Sequence, residues 1–218
     1  MLTTDNFKLI TEKYIDTLDI LPKSGQHIVA YQHGDYMVVY QAYKPAIAAF
    51  AVKNQYLGGS DFSYNRMSWI KPNFLWMMFR CGWASKENQE NVLAIWLEKK
   101  DFDRLLQEAV FSTYNRDRYN SKEDWQNDLD KKEVRLQWDP DHDPYGSKLT
   151  RRAIQIGMKS RTLEAFGRNY IRYIEDITGF VKDQKICVEK RQLETLLIPA
   201  ERAYKPADDE ICKKIGID

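Results

Sequence analysis

The chain has 218 residues, of which 43% are hydrophobic and 13% aromatic. This content excludes an intrinsically disordered protein, and the length suits a single domain. Lys and Arg number 33 and Asp and Glu number 32, so the formal net charge is +1. The charge argues against a protein that binds duplex nucleic acid through an overall basic field, although it allows a local basic groove.

The cysteines and the apolar segments define the expected environment of the protein. Cys81, Cys187 and Cys212 form no CxxC or Cys/His cluster, so we expect reduced thiols and no metal site. Residues 1–13 lack the apolar stretch of a signal peptide. The longest apolar run, Phe74 to Phe79, is far shorter than the roughly 20 residues that cross a bilayer. We therefore expect a cytoplasmic protein with no membrane partner.

The first predicted elements are a helix and a hairpin. Residues 4–18 carry apolar side chains at helical spacing and predict an amphipathic helix. The runs His27 to Tyr31 and Tyr36 to Tyr43 are rich in strand-forming residues and surround His33-Gly34-Asp35, which is typical of a hairpin turn. Because the second run begins apolar on both faces, it predicts a central strand that is covered on both sides.

Two predicted helices with the same start and stop signals follow the hairpin. Pro45 begins an apolar segment that Gly58-Gly59 ends, and Pro72 begins the run over residues 74–79 that Gly82 ends. Proline at the start and glycine after the end are typical of helices. The run over residues 74–79 is apolar on every face, so we expect it to be the central buried helix.

The second half of the chain alternates strands and helices. Its patterns predict, in chain order, a strand over residues 92–97, a helix capped by Asp101, a helix capped by Ser121, strands over residues 134–138 and 152–158, a long helix from Ser160 to Gly179 and a last helix over residues 184–197. This alternation predicts an α+β fold with a small mixed or antiparallel sheet around the buried helix, flanked by amphipathic helices. We expect residues 1–26 to form a helical extension, residues 27–204 a single domain and residues 205–218 a C-terminal tail.

The segment over residues 63–72 places polar and basic side chains directly before the buried helix. Arg66, Ser68 and Lys71 would lie beside the free N–H groups of a helix N-terminus, an arrangement suited to phosphate or pyrophosphate. The structural alternative is that Asn65 and Ser68 satisfy turn and cap groups while Arg66 pairs with a carboxylate.

Two strands carry further candidate residues. Tyr40, Gln41 and Tyr43 lie at the end of the presumed central strand, where polar side chains often line a pocket and tyrosines stack on flat rings. The alternative is that both tyrosines belong to the core. On the strand over residues 152–158, alternation places Gln155 between small residues, as a polar floor for an amide or a ribose.

Two other polar clusters are expected to be structural. His142 lies in an acidic turn, for which solvated turn residues are expected rather than a metal site. Glu201 and Arg202 are expected to form a local ion pair that packs the tail. The chain lacks a Ser/His/Asp motif, a P-loop and a GxGxxG pattern, which argues against the common hydrolases, kinases and dehydrogenases.

Several motifs carry a resemblance to a known family. They are Val38 to Tyr43, Asn65 to Pro72 with Phe74 to Met78, Gln137 to Pro140, and Ile154 to Gly157. Through them the chain closely resembles, over residues 27–204, the family known as domain of unknown function 4291. This resemblance implies no particular activity.

The order of elements is also similar to that of ADP-ribosyltransferase domains. This weaker resemblance implies NAD as cofactor, with Gln41 on its ribose, Ser63 or Tyr64 in the second motif and Gln155 orienting the nucleophile. Because the third position is Gln rather than Glu, it implies a nucleic-acid base or phosphate acceptor more readily than a protein side chain. The residues that would bind the cofactor are Tyr40, Tyr43, Ser63, Asn65, Arg66, Ser68, Trp69 and Lys71.

Three functions remain open on the sequence. The first is an ADP-ribosyltransferase-like enzyme that binds the NAD pyrophosphate at Arg66 and Lys71. The second is a module that binds or processes RNA or single-stranded nucleic acid, with basic residues interleaved among Tyr43, Tyr64, Trp69 and Trp76. The third is a non-catalytic interaction fold. Enzyme and nucleotide binding require that one cavity contain Gln41, Arg66, Lys71 and Gln155.

Overall fold

The computed structural model describes residues 7–218, which adopt an α+β fold, as predicted. The strands are β1 (Thr11–Lys13), β2 (Gly25–Gln26), β3 (Ile28–His33), β4 (Tyr36–Tyr43), β5 (Ser68–Ile70), β6 (Asn91–Glu98), β7 (Val110–Phe111), β8 (Val134–His142), β9 (Lys148–Met158), β10 (Ile171–Asp176), β11 (Leu197–Pro199) and β12 (Glu201–Tyr204). The helices are α1 (Tyr14–Thr17), α2 (Pro45–Asn54), α3 (Phe74–Cys81), α4 (Lys99–Glu108), α5 (Lys122–Lys131), α6 (Ser160–Ala165), α7 (Thr178–Glu189) and α8 (Asp209–Ile215). None of these helices is long and apolar enough to cross a membrane.

The first sheet is antiparallel, with the strand order β10-β6-β4-β3-β12. The prediction that Tyr36–Tyr43 is a central strand covered on both sides is confirmed. Met37 and Val39 point into one hydrophobic core, and Val38 and Tyr40 point into a second core on the other face. This alternation decides which side chains at the end of β4 reach each face.

The second sheet is mixed, with the strand order β2-β9-β8-β7 and β5 paired to β9. Strands β8 and β9 form a long antiparallel pair in which Gln137 lies directly opposite Gln155. The two sheets meet where Tyr40 of β4 bridges Lys71, the residue after β5. The Tyr40 N–H donates to the Lys71 carbonyl over 2.7 Å, and the Lys71 N–H donates back over 3.1 Å.

Helix α3 packs against β4 and β8, and the residues at its two ends agree with the prediction. It begins two residues after Pro72, the Asn73 side chain caps it, and Gly82 ends it in the left-handed conformation at φ +59°. All residues of α3 except Phe79 and Arg80 are buried, so the prediction of a central core helix is confirmed.

The predicted helix from Ser160 to Gly179 is wrong. Helix α6 ends at Ala165, a π-helical turn covers Phe166–Tyr170, and β10 then pairs with β6. A bulge between Ile171 and Tyr173 shifts the register of β10, so Ile171 and Ile174 are both buried at a spacing of three. The bulge thus gave the strand a helical periodicity.

The N-terminal prediction is wrong where the structure describes it. Residues 4–6 of the predicted helix lie outside the described residues, and the remainder contains β1 and the one-turn helix α1. Strand β1 pairs with β11, and the Phe7 ring packs against Trp96 and Tyr173. Pairing with a strand of the main body therefore overrides the helical periodicity of the sequence.

Three further predictions near helix ends are wrong. Asp101 does not cap α4 but lies buried within it, where it pairs with Arg172. The last predicted helix, over residues 184–197, corresponds to α7, which ends at Glu189. Leu197–Pro199 forms β11 instead of helix and pairs with β1. Glu201 and Arg202 form no ion pair with each other, since neighbouring strand residues point to opposite faces. Arg202 pairs with Glu12, and Glu201 is buried.

Candidate functional site

A cavity of about 560 Å³ opens where the end of β4 meets the second sheet. Each neighbouring element contributes side chains to its lining. Gln41 and Tyr43 come from β4, and Arg66 and Met67 come from the loop before β5. Ser68 and Trp69 belong to β5, Lys71 follows β5, and Met77 and Arg80 belong to α3. Gln89 precedes β6, Gln137 lies on β8 and Gln155 lies on β9. Within the described residues, the lining contains three cations and no carboxylate.

The three cations of the cavity differ in exposure. Arg66 and Arg80 are exposed and lie where the cavity opens to solvent, whereas Lys71 is only 3% exposed. None of the three forms a salt bridge with any residue between 7 and 218. Buried cations are usually paired with an acid, so this cavity is suited to a negatively charged ligand.

Burial lowers the pKa of the Lys71 amine to about 8, because desolvation disfavours its charge and the nearby Arg80 repels it. Asp139 and Cys81 act in the opposite direction but do not compensate. The main-chain bridge to Tyr40 fixes the backbone from which this side chain projects. Lys71 is therefore a preorganised cation whose charge an arriving anion would stabilise.

The Gln41 side chain is 2% exposed and held in one orientation. Its Nε2 donates to Ser68 Oγ over 2.8 Å and to the Trp69 carbonyl over 3.3 Å. Because a carbonyl oxygen can only accept, these contacts fix which end of the amide is nitrogen. The Gln41 Oε1 is buried and has no hydrogen-bond partner in the described part of the chain, so it is an acceptor available to a ligand.

Asp139 orients the two glutamines on the floor of the cavity. Its carboxylate accepts a hydrogen bond from Gln137 Nε2 over 2.7 Å and from Gln155 Nε2 over 2.8 Å. Ser112 Oγ lies 3.2 Å from Gln137 Oε1 and donates to it. The Gln155 nitrogen is thereby engaged, and its oxygen remains a second acceptor.

A second cavity, of about 440 Å³, adjoins the first. The two share Tyr43, Arg66, Met67 and Ser68. The rest of the second cavity is lined by Ile47, Phe62, Ser63, Asn88 and an ion pair in which Lys44 Nζ lies 3.0 Å from Asp61 Oδ1. Together they form a bipartite site with Arg66 at the junction.

The structure brings most of the sequence-predicted site residues together. The residues that line the main cavity are Gln41, Tyr43, Arg66, Ser68, Trp69, Lys71 and Gln155, and Ser63 lines the adjoining cavity. The hydroxyl of Tyr43 lies 3.0 Å from Ser68 Oγ, and burial raises the pKa of Tyr43 far above its usual value. Tyr43 therefore remains protonated and contributes a hydroxyl to the shared wall.

Three predicted site residues line neither cavity. Tyr40 points to the opposite face of β4, where it is fully buried against Phe74. The Tyr64 hydroxyl donates to the Leu57 carbonyl, and Asn65 is exposed outside the lining. Strand alternation explains the position of Tyr40, since the same alternation that brings Gln41 and Tyr43 to the cavity takes Tyr40 away.

The predicted anion site at the N-terminus of the buried helix is also corrected. The Trp76 N–H donates to Asn73 Oδ1 over 2.7 Å, and the Phe74 N–H donates to Glu201 Oε1 over 2.8 Å. These two amides of α3 are therefore already satisfied. Side chains of the cavity, rather than the helix terminus, provide the groups for an anion.

The structure adds Arg80 and Gln89, which sequence reasoning missed. Arg80 is the only charged residue in the otherwise apolar α3, and this isolation was the available signal. Gln89 lies in the loop before β6, where no pattern distinguishes it from the exposed polar residues around it.

The expectation that the acidic turn around His142 consists of solvated residues is wrong. Asp141 is buried and accepts from Arg151, while His142 stacks on Phe79 with 3.6 Å between ring centroids. Burial lowers the pKa of His142. Among residues 7–218, no three His, Cys, Asp or Glu side chains converge in a group that could hold a metal ion.

The fold and the cavity define an α+β protein with a cationic, amide-lined pocket between two sheets. A family model described as Domain of unknown function (DUF4291) matches residues 27–204, and the chain belongs to this family. None of the curated proteins compared with the chain is significantly similar to it.

Proposed function

We propose that this protein is a nucleotide-binding enzyme whose cavity holds the diphosphate of NAD, or of a similar dinucleotide, at Arg66 and Lys71. The observation that carries the proposal is a single cavity with three cations that form no salt bridge, no lining carboxylate and a buried Gln41 oxygen without a hydrogen-bond partner, all within the part of the chain that the structure describes. Phosphates require cations, and ribose hydroxyls require acceptors.

The bipartite shape of the site supports a ligand with two halves. The two cavities share Arg66, so a diphosphate between Arg66 and Lys71 would leave one half of the ligand near Gln41 and Gln155. The other half would lie near Phe62 and Ile47, which provide an apolar wall for a flat ring.

The reaction proposed is transfer of ADP-ribose. The glycosidic bond between the ribose C1 and the nicotinamide nitrogen breaks, nicotinamide leaves, and an acceptor forms a new bond to C1. The oxygens of Gln41 and Gln155 are suited to accept hydrogen bonds from ribose hydroxyls, contacts that strengthen as positive charge develops on a sugar ring. Since no carboxylate lines the main cavity within residues 7–218, a nucleic-acid base or phosphate is the acceptor class we propose.

The two alternative functions have less support. A single-strand binding surface needs exposed aromatic platforms, but Trp76 is buried and stacks on His142. Tyr43, Tyr64 and Trp69 are only partly exposed. An interaction fold would disperse its cations in surface ion pairs, whereas Arg66, Lys71 and Arg80 share one cavity. A small phosphorylated ligand is therefore favoured over a long strand or a protein partner.

Isothermal titration calorimetry with NAD, ADP-ribose and a short single-stranded RNA tests the proposal. We expect saturable binding of NAD and ADP-ribose, and an affinity at least about tenfold lower in Arg66→Met, because a charge-assisted contact to phosphate is lost. Arg161, an exposed residue of α6 outside both cavities, provides the matched control Arg161→Met, which should bind normally.

Two results would reject this function. No heat with either nucleotide would exclude it, as would equal affinities for the wild type and Arg66→Met. Binding of the RNA alone, with an affinity that falls steeply as salt is added, would instead favour the nucleic-acid module.

A further inference from the structure

Lys71 combines burial, isolation from acids and access to a cavity. Its side chain is 3% exposed, makes no hydrogen bond or salt bridge with any residue from 7 to 218 and lines the main cavity. A lysine that only binds phosphate needs its full charge, whereas desolvation favours the neutral amine. The neutral amine is the nucleophilic form of lysine.

The groups that surround Lys71 determine how much of it is neutral. Arg80 of α3 and Arg66 at the cavity mouth are positive, while Asp139 of β8 and the Cys81 thiol favour the ammonium form. The net effect of burial and these neighbours lowers the pKa of Lys71 to about 8. Roughly a tenth of the amine is then neutral at pH 7, far more than for an ordinary lysine.

The cavity also contains the groups that would present an electrophile to this amine. Arg66 and Arg80 can hold a phosphate, and the Gln41 and Gln155 oxygens can accept from sugar hydroxyls. The Tyr40 bridge fixes the main chain of Lys71, so its side chain projects from paired backbone between β5 and α3 rather than from a flexible loop.

We propose that Lys71 is a nucleophilic amine that forms a Schiff base with a small phosphorylated aldehyde or ketone whose phosphate lies on Arg66 and Arg80. This proposal rests on the anion binding of the proposed function. It goes beyond that function because the reaction needs neither NAD nor a nucleoside.

The reaction balances without an oxidant or reductant. The Lys71 lone pair attacks the carbonyl carbon, a C–N bond forms, and the carbonyl oxygen takes a proton to give a carbinolamine. The nitrogen then loses its proton, and the hydroxyl group, once protonated, leaves as water while the C=N bond forms. One water molecule is released, and the bound Schiff base regenerates the free amine by the reverse path.

Labelling with pyridoxal 5′-phosphate tests the proposal directly, because this probe carries both an aldehyde and a phosphate. The wild-type protein is incubated with the probe from pH 6 to pH 10, the imine is reduced with borohydride, and the modified lysines are mapped by peptide mass spectrometry. Exposed Lys53 of α2 serves as the internal comparison. Pyridoxal, which lacks the phosphate, serves as the second probe.

We expect Lys71 to be labelled more than about tenfold faster than Lys53 at neutral pH. Inorganic pyrophosphate should suppress this labelling, pyridoxal should react more slowly than its phosphate, and the rate at Lys71 should rise to half its maximum near pH 8. Lys71→Arg should keep pyrophosphate binding and lose the label.

Other results would overturn the proposal. If pyrophosphate binds in calorimetry but Lys71 is labelled no faster than Lys53, the nucleophilic role is wrong and the proposed function survives. If Lys71 is labelled but pyrophosphate does not suppress the reaction, the assignment of the phosphate to Arg66 and Arg80 is wrong. If pyrophosphate does not bind at all, both proposals are wrong. The wild-type measurements decide each case even where Lys71→Arg does not fold.

Discussion

Lys71 illustrates how one buried cation can lower the stability of a fold. The fold buries this cation, and no acid forms a salt bridge with it within residues 7–218. The lowering of its pKa from 10.5 to about 8 corresponds to about 3 kcal/mol of destabilisation when the amine is charged in both the folded and unfolded states.

We therefore predict that Lys71→Met stabilises the protein. Met has a similar length and no charge, so the free energy of unfolding at pH 7 should rise by about 1–3 kcal/mol. The wild-type penalty is fully present below pH 8 and disappears as the pH rises to 10.5. The difference between the two proteins should therefore shrink between those values, as urea denaturation at pH 7 and pH 10 would show.

The exposed Lys53 of α2 provides the control for this experiment. Lys53→Met should change the free energy of unfolding by less than about 0.5 kcal/mol at either pH. A destabilised Lys71→Met, or a gain in stability that is the same at both pH values, would show that burial of the charged Lys71 amine does not destabilise the protein.

At the scale of elements, the approach of β5 to β9 shapes one wall of the cavity. Gly157 of β9 lies against Trp69 and Met67, and a Cβ there would lie 2.8 Å from Trp69 Cε2 and 2.9 Å from Met67 Sδ. Only glycine permits this close contact without a shift of the indole. Trp69 and Met67 line the cavity, so a change in packing at Gly157 would change the shape of the cavity.

We predict that Gly157→Ala lowers the free energy of unfolding by about 1–3 kcal/mol through overpacking. It should also weaken ADP-ribose binding, because the displaced indole moves into the site. The matched substitution is Gly179→Ala in α7, where a Cβ would meet no atom within 4 Å. It should leave binding unchanged and stabilise the helix by up to about 1 kcal/mol. Unchanged ADP-ribose binding in a folded Gly157→Ala protein would contradict the prediction that packing at Gly157 affects the site.

Helix α3 and strand β10 show which elements can be predicted from a sequence. Helix α3 was predictable because Pro72 and Gly82 mark its ends and the run over residues 74–79 is apolar on every face. Strand β10 was not, because its bulge produces a helical spacing of buried residues. Local patterns report burial, and they fail where a bulge or a distant partner strand determines which residues are buried.

At the scale of the whole molecule, the N-terminal segment is part of the packed structure. The family model begins at residue 27, yet Phe7 is only 7% exposed and contacts Tyr36, Trp96 and Tyr173. Strand β1 adds main-chain pairing with β11. The described part of the segment therefore contributes to the stability of the second core.

We predict that Phe7→Ala lowers the free energy of unfolding by about 3 kcal/mol, because it leaves a cavity among aromatic rings. The neighbouring Ile10 is 54% exposed, and Ile10→Ala should change the same quantity by less than about 0.5 kcal/mol. Chemical denaturation of both variants would measure this contrast. Equal small effects would mean that residues 7–13 do not share the stability of the main body.

The candidate site was partly predictable because its groups occupy short motifs at strand ends. Gln41, Lys71 and Gln155 could be identified from the sequence, since polar residues beside buried elements are unusual. Their convergence could not, because it depends on the Tyr40–Lys71 bridge and the register of β8 with β9. The role of the helix terminus was mispredicted because Glu201, which satisfies the Phe74 amide, lies 127 residues further along the chain.

Calorimetric titration with inorganic pyrophosphate is the sharpest test of anion binding by the cavity, since it isolates the anion site from every other part of a nucleotide. For the wild type we predict saturable binding at one site, with an affinity that falls as salt is added. For Lys71→Met we predict an affinity at least about tenfold lower in a protein that is fully folded. The absence of binding to the wild type, or equal affinities for the two proteins, would contradict the account.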